Sequence, residues 1–85
     1  MSTNNYKYVR MFLVNYGAVK VDVAKLQELR INRGLSQRQL AERAGLSPGA
    51  VWRLELRGSG RPDTVKKVAD VLGVRPMDLL AREGK

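Results

Sequence analysis

Seven arginine side chains stand close together in the middle of this sequence. Residues 30–62 contain these seven arginines, two glutamates and no lysine. The arginines are Arg30, Arg33, Arg38, Arg43, Arg53, Arg57 and Arg61. The guanidinium group is planar and always charged, and its fork of N–H donors matches phosphate oxygens and the edge of guanine. The segment therefore predicts a surface that binds a polyanion, with nucleic acid favoured over a membrane.

The elements that must position these arginines are visible in the same segment. Ser36 followed by Gln39 predicts a capping box at a helix start, and Gly45 predicts a tight turn with positive φ. Ser47-Pro48 predicts the start of the next helix, with serine as its cap. Inward apolar positions of the two helices are Leu40, Ala41, Val51 and Leu54. This pattern is typical of a helix-turn-helix, which places its second helix in the major groove of DNA.

The rest of the chain extends this pattern to a small all-α domain. Helical spacing of apolar residues predicts one helix over residues 23–34 and another over residues 62–73. Pro76 opens a short last helix. We therefore expect five short helices on one core, with the domain spanning residues 23–82 and a tail at residues 83–85.

Residues 1–22 form a separate N-terminal extension. Two β-prone runs, residues 6–14 and 18–23, flank a turn-like segment at residues 15–17 and predict a β-hairpin. A two-stranded hairpin is marginally stable by itself, so it would pack on the helices or on a second copy. The alternative is a leader without fixed structure, since Met11 is itself a candidate start.

Composition excludes several functional classes. The chain has 85 residues, a net charge of +8, and neither cysteine nor histidine. Disulfides and thiolate metal sites are therefore absent, and so is the commonest general base. The acidic residues are scattered, which argues against an enzyme, a metal and a cofactor. The longest apolar run, residues 11–14, is too short for a membrane span or signal peptide, so we expect a cytoplasmic, nucleoid-associated protein.

The chain resembles the phage-repressor and Cro-like helix-turn-helix family, also called the XRE family. The resemblance is carried by Lys-Leu-Gln-Glu-Leu-Arg-Ile-Asn-Arg-Gly-Leu-Ser-Gln at residues 25–37, by Arg61-Pro62, and by Val-Ala-Asp-Val-Leu-Gly-Val at residues 68–74. It covers about residues 23–81 and implies a compact lambda-repressor-like fold of five helices. These motifs are specific for the fold and less specific for the function.

The resemblance also implies which residues contact DNA. The implied base contacts are Pro48, Gly49, Ala50 and Arg53. The implied phosphate contacts are Gln37, Ser47, Gly60 and Arg61. Charge and position add three further phosphate candidates, Arg33, Arg38 and Arg57. Because proline, glycine and alanine offer no polar side chain, Arg53 is the main candidate for reading guanine, and a phosphate contact at Arg53 is the alternative.

One pair of residues is implied to act inside the protein. Arg30 and Glu55 match a salt bridge between the first and third helices of the family. Each residue also lies among apolar, inward positions in this sequence. Removal of one partner would leave a buried charge unpaired, at a cost of about 3–5 kcal/mol.

Two apolar groups are candidates for contacts with partners. Trp52 and Leu56 form an i,i+4 pair on the exposed face of the third helix, where they would contact the N-terminal segment, another protein or the DNA backbone. A homodimer is implied through the last helix and the loop before it, at Val74, Pro76, Met77 and Leu80. Pairing of N-terminal strands is a second route to a dimer.

The leading interpretation is a sequence-specific regulator of transcription that binds double-stranded DNA. It would be a repressor or Cro-like protein that inserts a recognition helix, residues 47–57, into the major groove as a homodimer on an inverted repeat. One alternative is an antitoxin-type or other protein-interaction module that holds a protein partner through residues 6–23. Another is a restriction-modification controller protein of similar size and fold.

Overall fold

A computed structural model describes residues 17–81 of the chain. Its elements in chain order are β1 (Val19–Lys20), α1 (Val23–Asn32), α2 (Gln37–Arg43), α3 (Ala50–Arg57), β2 (Ser59–Gly60), α4 (Pro62–Leu72) and a 3₁₀ helix (Pro76–Leu79). Within this part of the chain, every helix is too short or too polar to pass through a lipid bilayer. The order of elements shows a mainly helical fold with one short antiparallel strand pair, β1 with β2.

The prediction of five helices is corrected at the last element. Residues 17–81 contain four α-helices, and the segment opened by Pro76 is a 3₁₀ helix of four residues. Its bonds run from Asp78 N to Arg75 O and from Leu80 N to Met77 O, which are i→i+3 bonds. A segment this short closes the tighter 3₁₀ turn more readily than an α-helical ladder.

The helix-turn-helix region follows the predicted signals at its first helix and turn. Both bonds of the Ser36–Gln39 capping box are present, with N···O distances of 3.0 and 2.9 Å. Gly45 adopts a φ of +73°, a conformation that costs a side chain about 1–2 kcal/mol. Leu46 N then donates to Ala41 O at 2.9 Å and closes the turn. The predicted turn at Gly45 is therefore present.

The start of α3 differs from the prediction. Serine at position 47 is not the cap, because the N-cap is Gly49 and no side chain bonds the first turn. Ala50 N donates to Ser47 O at 3.0 Å, so Pro48 lies in a separate turn before the helix. The predicted recognition helix of residues 47–57 is thus shortened to Ala50–Arg57.

The core lies where the helices meet and matches the predicted apolar stripes. Its fully buried side chains include Leu26, Leu40, Val51, Val65, Val68, Leu72 and Leu79. Each such side chain contributes about 1.5–3 kcal/mol relative to an exposed one. The apolar stripe of α4 is inward along its whole length, as its spacing predicts.

The β-prone run near residue 19 forms a strand with an unpredicted partner. Val19 pairs with Gly60 and Lys20 with Ser59 in antiparallel register. The other run of the predicted hairpin, residues 6–14, lies outside the described residues. On the opposite edge of the strand, Ala81 N donates to Lys20 O at 3.0 Å. The strand therefore ties the loop after α3 to the segment after the 3₁₀ helix.

A buried carboxylate joins three helices. Arg30 Nε of α1 donates to Glu55 Oε2 of α3 at 2.8 Å, so the predicted salt bridge is present. Gln37 Nε2, at the start of α2, donates to Glu55 Oε1 at 2.7 Å, and Gln27 Nε2 of α1 donates to the same oxygen at 3.2 Å. Arg30 Nη1 also donates to the Leu35 carbonyl at 3.0 Å. We call these four side chains, Gln27, Arg30, Gln37 and Glu55, the Glu55 cluster.

The charge of Glu55 is stabilised in the folded protein. Burial raises the pKa of Glu55, but hydrogen bonds from Arg30, Gln37 and Gln27 and the attraction of the Arg30 charge outweigh burial. The pKa of Glu55 therefore lies below its ordinary value of 4.5. A carboxylate with a lowered pKa stabilises the fold above that ordinary value, and this contribution is lost as the pH falls through the pKa of the folded state.

Replacement of the carboxylate is expected to cost much of the stability. Glu55→Gln leaves Arg30, whose side chain is 12% exposed, without its anion. We expect a loss of about 3–5 kcal/mol in the free energy of unfolding near neutral pH, measured by urea denaturation. The difference from the wild type should shrink as the pH falls through the pKa of Glu55.

A matched variant tests whether burial causes this effect. Glu42 pairs with Arg38 on the surface, where the two side chains are 57% and 73% exposed, so Glu42→Gln should cost less than about 1 kcal/mol. Equal losses for the two variants, or a Glu55→Gln effect independent of pH, would contradict the role given to the cluster.

Candidate nucleic-acid interface

Three of the predicted arginines line one open groove on the surface. The groove has a volume of about 210 Å³ and lies between α3, β2 and the start of α4. We call it the arginine groove, and its lining residues are Ala50, Arg53, Leu54, Arg57, Ser59, Gly60, Arg61 and Thr64. It thus brings together Ala50 and Arg53, predicted as base contacts, with Arg57, Gly60 and Arg61, predicted as phosphate contacts.

The arginine groove concentrates positive charge, since three of its eight lining residues are arginines and none of the eight is acidic. Arg53 and Arg57 are one helical turn apart on α3 and are both exposed. Like charges at this spacing destabilise a helix by about 0.2–0.5 kcal/mol. Arg61 has an acidic neighbour, with 3.7 Å between its Nε and Asp63 Oδ1, and this pair is also exposed. An anion in the groove would relieve the repulsion, so the arrangement favours an anionic ligand.

The other predicted base contacts lie just before α3. Pro48 is exposed and Gly49 is half-buried, and both belong to the turn that precedes Ala50. Ser47, predicted as a phosphate contact, accepts a hydrogen bond from Arg53 Nη2 at 3.2 Å. These three residues therefore border the N-terminal end of the helix that lines the arginine groove.

The remaining predicted phosphate contacts are spread over the molecule. Gln37 belongs to the Glu55 cluster, and Arg38 is paired with Glu42 on α2. Arg33 lies beside Gly73, since a Cβ built on Gly73 would be 3.7 Å from Arg33 Nη2. Gly73 is the C-cap of α4, whereas the groove lies at the other end of this helix, and Arg33 is not among its lining residues. The structure does not bring Arg33 to the arginine groove.

An apolar pair occupies a different face of α3. Trp52 is 53% exposed and Leu56 is 67% exposed. With Gln27, Gln37 and Glu55 they line a second depression, of about 260 Å³. The pair is therefore exposed beside the Glu55 cluster. We call Trp52 and Leu56 the apolar pair.

The residues predicted for dimer contacts divide into two kinds. Val74 and Leu80 are half-buried and pack against the core of their own chain. Met77 and Pro76 are exposed, and Met77 lines an open depression of about 370 Å³ with Arg75, Asp78, Leu80 and Ala81. Only part of the predicted set is therefore free to contact a second copy.

Comparison with known proteins identifies the family of this fold. A family model described as a helix-turn-helix domain matches residues 23–82, which include α1 to α4 and the 3₁₀ helix. The chain belongs to this helix-turn-helix family. It is also 40% identical over 62 residues to an uncharacterized HTH-type transcriptional regulator of Bacillus subtilis (strain 168), RghRB. The match covers 71% of this chain and 45% of that protein, so the chain spans less than half of the relative's length.

Sequence reasoning missed several residues of the helix-turn-helix surface. Ser59 and Thr64 line the arginine groove, and Gln27 completes the Glu55 cluster. Ser59 lies in a Gly-Ser-Gly segment that reads as a loop, and its pairing with β1 leaves no periodic signal in two residues. Gln27 follows the inward Leu26 on α1, and its role depends on how α1 crosses α3. No local signal identifies either residue.

Gly60 holds the wall of the groove close to the core. A Cβ built on Gly60 would lie 2.5 Å from Cδ1 of Leu54, which is a buried side chain. We expect Gly60→Ala to force the loop or Leu54 to move and to destabilise the protein by about 1–3 kcal/mol, measured by urea denaturation. Ser59→Ala, in the same strand, adds no atoms and should cost less. If Gly60→Ala were as stable as the wild type, the loop could move at no cost, and the close approach of Gly60 to Leu54 would not matter for stability.

Proposed function

We propose that this protein is a sequence-specific transcriptional regulator that binds double-stranded DNA, of the repressor or Cro-like kind within the XRE group. The single observation that carries the proposal is the arginine groove, where Arg53, Arg57 and Arg61 converge beside the exposed side of α3. Membership of the helix-turn-helix family supports it, and so does the printed description of the Bacillus relative as a transcriptional regulator.

The exposed position of α3 suits insertion into DNA. An α-helix with its side chains is about 10–12 Å in diameter, and the major groove is roughly 12 Å wide. The inner face of α3 is occupied by Val51, Leu54 and Glu55, which are buried. The side chains left for base edges and phosphates are Ala50, Arg53 and Arg57, with Arg61 on the flanking loop.

Arg53 and Arg61 are assigned different tasks in this proposal. Arg53 lies in the middle of α3 on its exposed side, and its task is to read guanine through O6 and N7. Arg61 lies on the loop that begins α4, where it contacts phosphate and fixes the orientation of the domain. Ala50 and the exposed ring of Pro48 supply apolar contacts to thymine methyl groups.

We propose further that two copies bind an inverted repeat. The exposed Met77 and Pro76, with the adjoining depression, provide the contact between copies. A two-fold dimer of this kind places its two recognition helices about 34 Å apart, one turn of DNA.

A second function is favoured by the apolar pair. Trp52 and Leu56 expose a large apolar surface on the same helix, and a surface of this kind marks contact with another protein when it is contiguous. In that case the chain would be a protein-interaction module of the antitoxin type, which would hold its protein partner through residues 6–23 together with Trp52 and Leu56.

Selection from a random pool of DNA duplexes tests the proposed function. At near-physiological salt we expect recovery of an enriched inverted repeat whose half-sites are about 34 Å apart. Recovery without a shared motif would indicate binding to the backbone alone and would contradict sequence specificity. Failure to recover any DNA would overturn the proposal and favour the protein-interaction module.

Two arginine variants separate base reading from phosphate contact. Arg53→Ala should weaken binding to the selected duplex by about 5–150-fold, the equivalent of about 1–3 kcal/mol, and should change binding to unrelated duplexes much less. Arg61→Ala should weaken binding to both and make the slope of log affinity against log salt shallower by about one unit. Fluorescence anisotropy over a salt series measures both effects.

A charge-matched variant controls for the loss of one positive charge. Lys66 is exposed on α4, is paired with Asp70, and does not line the arginine groove. Lys66→Ala should therefore leave the preference for the selected duplex unchanged. If Arg53→Ala weakened binding to all duplexes equally, Arg53 would be a phosphate contact. An unchanged salt slope in Arg61→Ala would remove Arg61 from the interface.

A further inference from the structure

The hydroxyl of Ser47 is engaged at an unexpected place. It does not cap α3, whose first turn has no side-chain cap. Instead, Ser47 Oγ accepts a hydrogen bond from Arg53 Nη2 at 3.2 Å, from a residue six positions later in the chain. The side chain of Arg53 therefore folds back along α3 toward the turn that precedes the helix.

Gly49 lies against the same guanidinium group. A Cβ built on Gly49 would be 3.2 Å from Arg53 Nη1, which is closer than a comfortable contact. The backbone at Gly49 has φ −93° and ψ 4°, which residues other than glycine also adopt. Glycine is thus not required here by the backbone conformation. Its missing side chain leaves the space that the Arg53 guanidinium occupies.

The hydrogen bond to Ser47 restricts a side chain that is otherwise free, and Gly49 leaves room for this arrangement. An arginine has many rotamers, and part of its binding energy is lost when they are ordered. Ser47 accepts from only one terminal nitrogen of Arg53. Most of the five N–H donors of a guanidinium remain available to a ligand. The hydrogen bond to Ser47 therefore orders the Arg53 side chain and leaves most of its N–H donors available to DNA.

We propose that Ser47 and Gly49 are specificity-determining positioning residues that hold the Arg53 guanidinium ready for the edge of a guanine base. The inference rests on the proposed function and names the residues that act through Arg53. Ser47 supplies the acceptor that orients the guanidinium, and Gly49 supplies the space in which it lies. Neither residue needs to touch the base itself.

The test measures discrimination between two duplexes. The first is the duplex selected from the random pool, and the second differs from it at the guanine that Arg53→Ala identifies. Ser47→Ala should lower affinity for the first duplex by about five-fold and affect the second much less, so discrimination falls. Ser47→Thr, which keeps a hydroxyl, should retain the wild-type discrimination. Gly49→Ala, which fills the space beside the guanidinium, should lower the discrimination between the two duplexes.

A double-mutant cycle shows whether Ser47 acts through Arg53. In the Arg53→Ala background, Ser47→Ala should have no further effect on either duplex. Thermal unfolding of each variant checks that the fold is intact, which matters most for Gly49→Ala because the change is at a helix N-cap. A structural role alone would lower the unfolding temperature without changing discrimination.

Several outcomes would overturn the inference. Additive effects of Ser47→Ala and Arg53→Ala would show that Ser47 acts by itself. Equal losses on both duplexes would show that Ser47 and Gly49 have no role in specificity. If the wild type discriminates but Arg53→Ala does too, the inference fails while the proposed function stands. If the wild type prefers no duplex, both fail.

Discussion

The Glu55 carboxylate accepts hydrogen bonds from two helices other than its own, and the position of α3 depends on it. Arg30 and Gln27 reach it from α1, and Gln37 reaches it from the start of α2. An ionised carboxylate has about four acceptor sites, so these bonds satisfy it almost completely. Within residues 17–81, no buried side-chain polar atom lacks a hydrogen-bond partner. The cluster thus sets the orientation of α3 by directional bonds, while the core supplies most of the free energy.

This arrangement explains how one short helix carries two different outer surfaces. The buried side of α3 is occupied by Val51, Leu54 and Glu55, which leaves the arginines on one flank and the apolar pair on the other. A helix of eight residues is too short to be stable by itself in water. The core and the Glu55 cluster hold α3 in place. The exposed residues of α3 therefore need not stabilise the fold, and they can include like charges and apolar side chains that are suited to binding.

The sequence predicts those parts of the structure that depend on local signals. The Ser36 capping box, the Gly45 turn and the inward stripe of α4 follow from residues close in the chain. The β1–β2 pairing was missed, because two residues show no periodicity and their partners are far apart in the chain. The predicted start of α3 was wrong. Ser47-Pro48 is a strong local start signal, but the Ser47 hydroxyl is bound by Arg53, six residues later in the chain. The arginine groove was predicted in part, through Arg53, Arg57 and Arg61.

The segment of residues 19–22, which begins with β1, has a consequence for assembly. It is bonded on one edge to the loop that leads to Arg61, through the contact of Val21 N with Gly58 O at 2.9 Å. On its other edge, Asp22 N bonds to Leu79 O at 2.8 Å, at the end of the 3₁₀ helix that carries Met77. If two copies join at Met77, backbone hydrogen bonds rather than a flexible linker fix the distance between their grooves. In such a dimer the spacing of the two half-sites would be determined by the fold of each copy.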